Sequence, residues 1–265
     1  MFYPQKPIPN VKRVLVVASG KGGVGKTSTA VNLALALTQL GLRVGIFDAD
    51  LYGPNVPIML GVRRRKRGSG YVPIARAQKD PYIPTLDRFG LKVMSIGLIM
   101  GDAQSVTPDP TFAGQIIRQT IMDVKWGNLD ILLIDLPPGT GDPQQTLLRT
   151  LTIDGAVLVT TPQDLSMMDT GRSLSHFEKA KIPMLGYVEN MSYLICPCCG
   201  EAIEVFARSE RSWILQNKEI PCLGSVPLDK EISAGIHAEH PLVASNSDSP
   251  SAQIYLSIAK KLVTL

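Results

Sequence analysis

Several things the chain lacks narrow what it can be. None of its apolar runs is long enough to cross a bilayer, so no membrane span is expected among its 265 residues. The first ten residues hold Pro4, Pro7 and Pro9 and no apolar signal segment, so export is not expected either. Net charge is only +4, too little to point to nucleic acid by itself. A strong basic footprint is missing, and residues 250–265 carry just Lys260 and Lys261, too few for a basic amphipathic membrane anchor. The Asn-Lys-x-Asp run that usually reads guanine is absent. So is a Ser-His-Asp arrangement, and His237 and His240 read as surface or packing residues rather than ligands. Cysteine is scarce: of four, Cys196, Cys198 and Cys199 crowd together and Cys222 stands apart. That is no secreted disulfide framework; crowding of this kind points to metal or redox chemistry in a cytoplasmic protein.

What is present is apolar and alternating. Hydrophobic residues make up 45%, ample for a large core. Short apolar runs predict strands over 14–18, 44–47, 91–96, 131–134, 156–160, 186–188 and 223–226, each suited to burial on both faces of a parallel sheet. Helical patterns fall between them. Ala30, Leu33, Ala34, Leu37 and Leu40 share one face, with Gly41 as a stop; Asp142 caps another helix, with Pro143 as its first residue; Pro250 precedes a last one carrying Ile254, Ile258 and Leu262. The pattern predicts a doubly wound α/β fold, with a mostly parallel sheet and helices on both faces. One domain over 1–265 is expected, with an N-terminal arm over 1–10, an irregular excursion over 52–88 and a cysteine-containing segment over 190–206. Arg63 to Arg67 is read as a solvated basic loop.

The run Gly20-Lys21-Gly22-Gly23-Val24-Gly25-Lys26-Thr27-Ser28 follows the first strand and opens the first helix, as a phosphate-binding loop requires. Its glycines let successive N–H groups face phosphate oxygens, and the helix N-terminus adds partial positive charge. Lys26 is expected to neutralise the β- and γ-phosphates, and Thr27 to offer its hydroxyl to Mg²⁺. Asp48-Ala49-Asp50 and Asp135 end two other strands, at the sheet edge where ligands bind. Asp135 reads as a Walker B aspartate holding Mg²⁺ through water; Asp48 is open between a structural and a site-supporting role. Cys196 and Cys199 have the C-x-x-C spacing that brings two thiolates to one metal. One pair is half of a four-thiolate site, which two copies of the chain would complete. Cys222, in an apolar run, reads as a small core residue.

Lys21 is an extra lysine, and Lys-Gly-Gly-Val-Gly-Lys-Thr resembles the SIMIBI class of P-loop ATPases, with a deviant Walker A motif. Within that class, Asp48 to Asn55, Leu136 to Asp142, Thr161-Pro162-Gln163-Asp164, Glu189-Asn190-Met191-Ser192-Tyr193 and Cys196-Pro197-Cys198-Cys199-Gly200 resemble the Mrp/ApbC iron–sulfur carriers. The resemblance implies ATP as ligand, slow hydrolysis used as a switch, and a homodimer in which Lys21 reaches the partner's nucleotide. It implies that Asp50 positions the attacking water and that Gly139 offers its N–H to the γ-phosphate. Asn190 is the implied adenine reader, with Pro227 to Asp229 as the other wall. It further implies that Cys196 and Cys199 of two subunits share a [4Fe–4S] cluster, taken from a donor and handed to apo-proteins. The chain departs from the family at Pro108-Asp109-Pro110-Thr111 and at Phe206-Ala207-Arg208-Ser209-Glu210. Zinc stays open, because the Cys196–Gly200 run is also half of a zinc knuckle. A MinD- or ParA-like positioning ATPase is the alternative, and it leaves the cysteine pair unexplained; an electron-transfer ATPase would carry its cysteines on separate segments.

Overall fold

The run from Val14 to Ala18 is buried throughout, and it forms the middle of the strand around which the sheet is built. The computed structural model describes residues 5–51, 53–62, 65–67, 70–72, 82–99, 109–206 and 219–265. Arg63, Arg64, Pro108 and residues 207–210, each singled out above, lie outside the described residues, as do parts of the 1–10 and 52–88 stretches.

In chain order the strands are β1 (Val11–Ser19), β2 (Val44–Asp48), β3 (Arg65–Arg67), β4 (Gly70–Val72), β5 (Ile83–Pro84), β6 (Leu86–Arg88), β7 (Leu91–Ser95), β8 (Val124–Lys125), β9 (Leu129–Asp135), β10 (Gly155–Thr160), β11 (Met184–Asn190), β12 (Leu194–Ile195), β13 (Ala202–Ile203) and β14 (Cys222–Val226). The helices are α1 (Lys26–Gln39), α2 (Val56–Met59), α3 (Ile96–Ile99), α4 (Pro110–Asp123), α5 (Asp142–Thr150), α6 (Asp164–Ala180), α7 (Lys230–His237), α8 (Leu242–Ser245) and α9 (Pro250–Thr264).

Eight strands make the main sheet, in the order β14-β11-β10-β1-β9-β2-β7-β6. Each of the seven strands expected from apolar runs is in it, and those seven pair in parallel. The eighth, β6, is antiparallel to β7 and was not expected. It belongs to a stretch read as an excursion, yet Phe89 and Gly90 both take positive φ, 51° and 78°, and turn the chain tightly into β7. Elsewhere the stretch does leave the sheet: among the described residues β3 pairs with β4, and β5 with β8. The described part of the N-terminal arm is docked, with the Lys6 N–H donating to Thr150 O at 3.0 Å and Ile8 buried.

Helix α1 packs with α8 and α9, α5 packs with both α4 and α6, and apolar β1 touches both α1 and α6. Gly41, at φ 85°, ends α1 in the left-handed turn expected of it. Helix α5 opens one residue earlier than expected: Asp142 is its first residue and Gly141 the cap, with Pro143 in the first turn. Among the described residues no helix is long and apolar enough to cross a membrane.

Candidate nucleotide and thiolate sites

Because β1, β9 and β2 are adjacent and parallel, their C-terminal ends put their loops side by side. Val17 pairs with Asp135, and Asp135 with Asp48, so the end of β1, Asp135 and the Asp48–Asp50 turn share one stretch of sheet edge. Gly23 and Gly25 take φ 82° and 81°, a conformation open to glycine, and this winds the loop before α1. Lys26 and Thr27 are the first residues of that helix. Ser28 follows, its carbonyl accepting from Asn32 Nδ2 at 2.9 Å. Ser19 Oγ donates to Lys21 O at 2.9 Å, bracing the loop from the end of β1.

Lys26 Nζ donates to Asp135 Oδ1 at 2.6 Å, and Thr27 Oγ1 donates to Asp135 Oδ2 at 2.7 Å. The pair is deeply buried, 6% and 0% exposed. Burial pushes the Asp135 carboxyl above its ordinary range, against the pull of the Lys26 charge and of the two hydrogen bonds. A hydroxyl and a carboxylate side by side are the hard oxygen donors that a magnesium ion prefers, so Thr27 and Asp135 fit the ion.

Asp48 is fully buried at the end of β2. Its Oδ1 accepts from Asp50 N at 3.1 Å; its Oδ2 accepts from Val56 N at 3.1 Å and Ser95 Oγ at 3.2 Å. Burial first, then the charge of Asp135, push its carboxyl up to about 7. Asp50 is half-buried, and its Oδ1 accepts from Gly53 N at 3.1 Å. Gly139, at φ 82°, donates its N–H to Ser19 O at 3.2 Å, directly beside the loop.

Asn190 is the last residue of β11 rather than one beyond the strand. Its carboxamide Nδ2 donates to Val24 O at 2.8 Å, so in this structure it rests on the phosphate loop. Pro227 is buried just after β14, whose Val226 pairs with Asn190, so the two expected adenine-side residues are neighbours.

Beyond Asn190 the chain turns at Met191, φ 54°, and enters the small β12–β13 hairpin. Its loop is closed by Cys196 N donating to Glu201 O and Gly200 N donating to Cys196 O, both at 2.9 Å, with Gly200 at φ 76°. The Cys199 backbone N–H, then that of Cys198, lower the Cys196 thiol from its ordinary range. Cys196 is half-buried, Cys198 and Cys199 are exposed, and no cysteine is in a disulfide. Among the described residues no three His, Cys, Asp or Glu side chains gather into a metal-binding group within one chain. Cys222 corrects an expectation: it is exposed, because it begins the edge strand β14, whose inward positions are Leu223 and Val226. His237 and His240 are exposed.

Sequence reasoning did not find Ser95, which only the β2–β7 pairing brings to Asp48, nor the contact of Asn190 with Val24. The Ser95–Asp48 link had no local signal, since 47 positions separate the partners.

A glycine-wound loop between a buried strand and a helix, beside two acidic strand ends, defines a P-loop NTPase with the MinD/ParA type of α/β fold. The chain belongs, more particularly, to the NUBPL family of iron-transfer P-loop NTPases, whose model matches residues 10–263. It is 40% identical over 263 residues to the iron–sulfur cluster carrier protein of Aquifex aeolicus, covering 98% of this chain and 70% of that one. It is 39% identical to the Arabidopsis thaliana iron–sulfur protein required for NADH dehydrogenase, mitochondrial, covering 96% and 78%. Among solved structures it is similar to a nucleotide-binding protein of Archaeoglobus fulgidus in complex with ADP, with a TM-score of 0.74, 32% identity, and coverage of 93% and 92%.

Proposed function

We propose that the protein is an ATP-hydrolysing carrier of iron–sulfur clusters. It works as a cytoplasmic homodimer, holds a labile [4Fe–4S] cluster between subunits as cargo, receives it from a donor and gives it to apo-proteins. Neither membrane nor nucleic acid enters this reading. The observation that carries it is a Walker site and an exposed C-x-x-C loop joined by one short run of chain, from Asn190 on the phosphate loop to Cys196. The Aquifex aeolicus relative is an iron–sulfur cluster carrier protein by name, which supports an iron–sulfur cargo.

On this reading Lys26 leaves Asp135 when ATP arrives and its ammonium neutralises the β- and γ-phosphates. Asp135 and Thr27 would hold Mg²⁺, which would supply positive charge against the charge that builds on the phosphate oxygens. Gly20, Gly22, Gly23, Val24 and Gly25 turn backbone N–H groups to the phosphates, joined by Ser28 and Gly139. Asn190 and Pro227 flank the adenine. Asp50 orients a water, whose oxygen bonds to the γ-phosphorus as the bond to the β–γ bridging oxygen breaks, giving ADP and phosphate. Lys21 reaches the nucleotide of the other subunit, so hydrolysis reports the dimer. Cys196 and Cys199 of each subunit supply the four thiolates of the cargo site, with the two N–H groups around Cys196 easing its ionisation. A positioning ATPase would leave these thiols without a task.

The test is transfer. Cluster-loaded protein, mixed with an apo-acceptor under anaerobic conditions, should pass its cluster faster with Mg-ATP than without it. Lys26→Ala should remove that ATP effect, and Lys21→Ala should weaken ATP-dependent dimerisation. Transfer that ignores ATP altogether contradicts the coupling.

A further inference from the structure

The two ends of the segment carrying Asp50 are tied to one buried atom group. Asp48 accepts the Asp50 N–H on one oxygen and the Val56 N–H on the other, so a single carboxylate ties Asp50 to Val56. Val56 is the first residue of α2, which makes the far anchor a helix start rather than free chain. The Ser95 hydroxyl donates to the same Oδ2, and its own oxygen accepts from Gly97 N at 3.1 Å, which orients the proton toward Asp48. Gly97 in turn lies close under Pro54: a methyl group built there would come 2.5 Å from the proline ring. Between these anchors, Gly53 N donates to Asp50 Oδ1 and Asn55 Nδ2 donates to Gly53 O at 2.8 Å.

Three donors converge on Asp48, and once ionised, above about pH 7, a carboxylate accepts on both oxygens without offering a donor. An asparagine there would turn an NH₂ group against one of the N–H or O–H donors. We propose that Asp48 is a positioning residue for hydrolysis: held by Ser95 on β7, it fixes the backbone of the Asp50 segment from both ends and thereby sets the direction of the Asp50 carboxylate. The placement rests on the hydrolytic reading given above, but the clamp itself does not.

The test compares Asp48→Asn and Ser95→Ala with the unaltered protein in two measurements. The first is kcat together with the dissociation constant for ATP; the second is amide hydrogen exchange of the nucleotide-free chain. Asp48→Asn should lower kcat at least about tenfold while ATP affinity stays within about threefold, because orientation and not phosphate binding is lost. Exchange at Asp50 and Val56 should accelerate about tenfold or more, with the amides of β1 unchanged. Ser95→Ala should shift both readouts the same way by about two- to fivefold, and it serves if Asp48→Asn does not fold. A kcat within about twofold of the parent, or a kcat loss matched by equal losses of ATP affinity and of exchange protection throughout the sheet, overturns the proposal. If the unaltered protein does not hydrolyse ATP, the hydrolytic reading fails, and unchanged exchange at Asp50 and Val56 in both variants separately overturns the clamp.

Discussion

Lys26→Met tests the nucleotide-free state of the phosphate site. The substitution keeps most of the side-chain bulk and removes the charge that Asp135 faces at 2.6 Å. Both groups are almost wholly buried, so Asp135 would be left as a carboxylate without its counter-charge. Breaking a buried pair in this way costs about 3–5 kcal/mol. Thr27 donates to Oδ2 in variant and parent alike, so that bond cancels and the loss should stay in this range, about 3–5 kcal/mol. The loss should also depend on pH. Asp135 already has a folded-state pKa above its ordinary 3.8, from burial, and without Lys26 it rises further. A carboxyl raised in the folded state stabilises the fold at low pH, and that stability is lost as pH rises through the folded value. The deficit of the variant against the parent should therefore widen as pH rises. Urea unfolding of nucleotide-free protein at about pH 5.5 and about pH 8 should show a difference between the two deficits of at least about 1 kcal/mol, larger at the higher pH. Equal stability of variant and parent at both pH values, or a deficit that does not change with pH, refutes the buried-pair reasoning.

Three other outcomes follow from the same geometry. Gly25→Ala places a methyl group at φ 81° against the Asn190 carboxamide; left-handed strain of about 1–2 kcal/mol and the loss of the Asn190–Val24 bond, about 1 kcal/mol, should lower Tm by roughly 4–10 °C, and an unchanged Tm by scanning calorimetry counts against it. Asp50→Asn should bind ATP like the parent yet release phosphate at least about tenfold more slowly in a steady-state assay, since the charge that orients water is gone; parental turnover would remove Asp50 from the mechanism. Asp48, pushed up to about 7, stabilises the nucleotide-free fold most below about pH 4 and loses that contribution as pH rises to about 7; Asp48→Asn should flatten the stability profile of the protein in that window, and an identical slope in variant and parent shows that Asp48 does not titrate there.

The framework was legible because its signals are local. Continuous apolar runs marked the parallel strands of the sheet, and the glycine-rich run between β1 and α1 needed only its own backbone preferences to be read. The C-x-x-C loop was legible for the same reason, since a tight turn follows from four neighbouring residues. Strand β6 escaped because Leu86 to Arg88 has no apolar run; pairing with β7 and a tight turn decide it, not composition. Cys222 misled because an apolar neighbourhood says nothing about position in the sheet, and β14 is an edge. The Asp48 clamp and the Asn190–Val24 contact depend on partners brought together by strand order, so no window of sequence contains them.

The central claim is that each chain contributes one thiolate pair to a cluster shared by two chains. The most direct test is anaerobic reconstitution with ferrous iron and sulfide, read by iron content and Mössbauer spectroscopy on the parent and on Cys196→Ala, Cys199→Ala, Cys198→Ala and Cys222→Ala. The parent should take up about four irons per two chains with a [4Fe–4S] spectrum. The first two variants should lose the cluster while still binding ATP, and the exposed Cys222 and Cys198 variants should keep it. Stoichiometric zinc in anaerobically purified protein, with no iron taken up on reconstitution, would contradict the account.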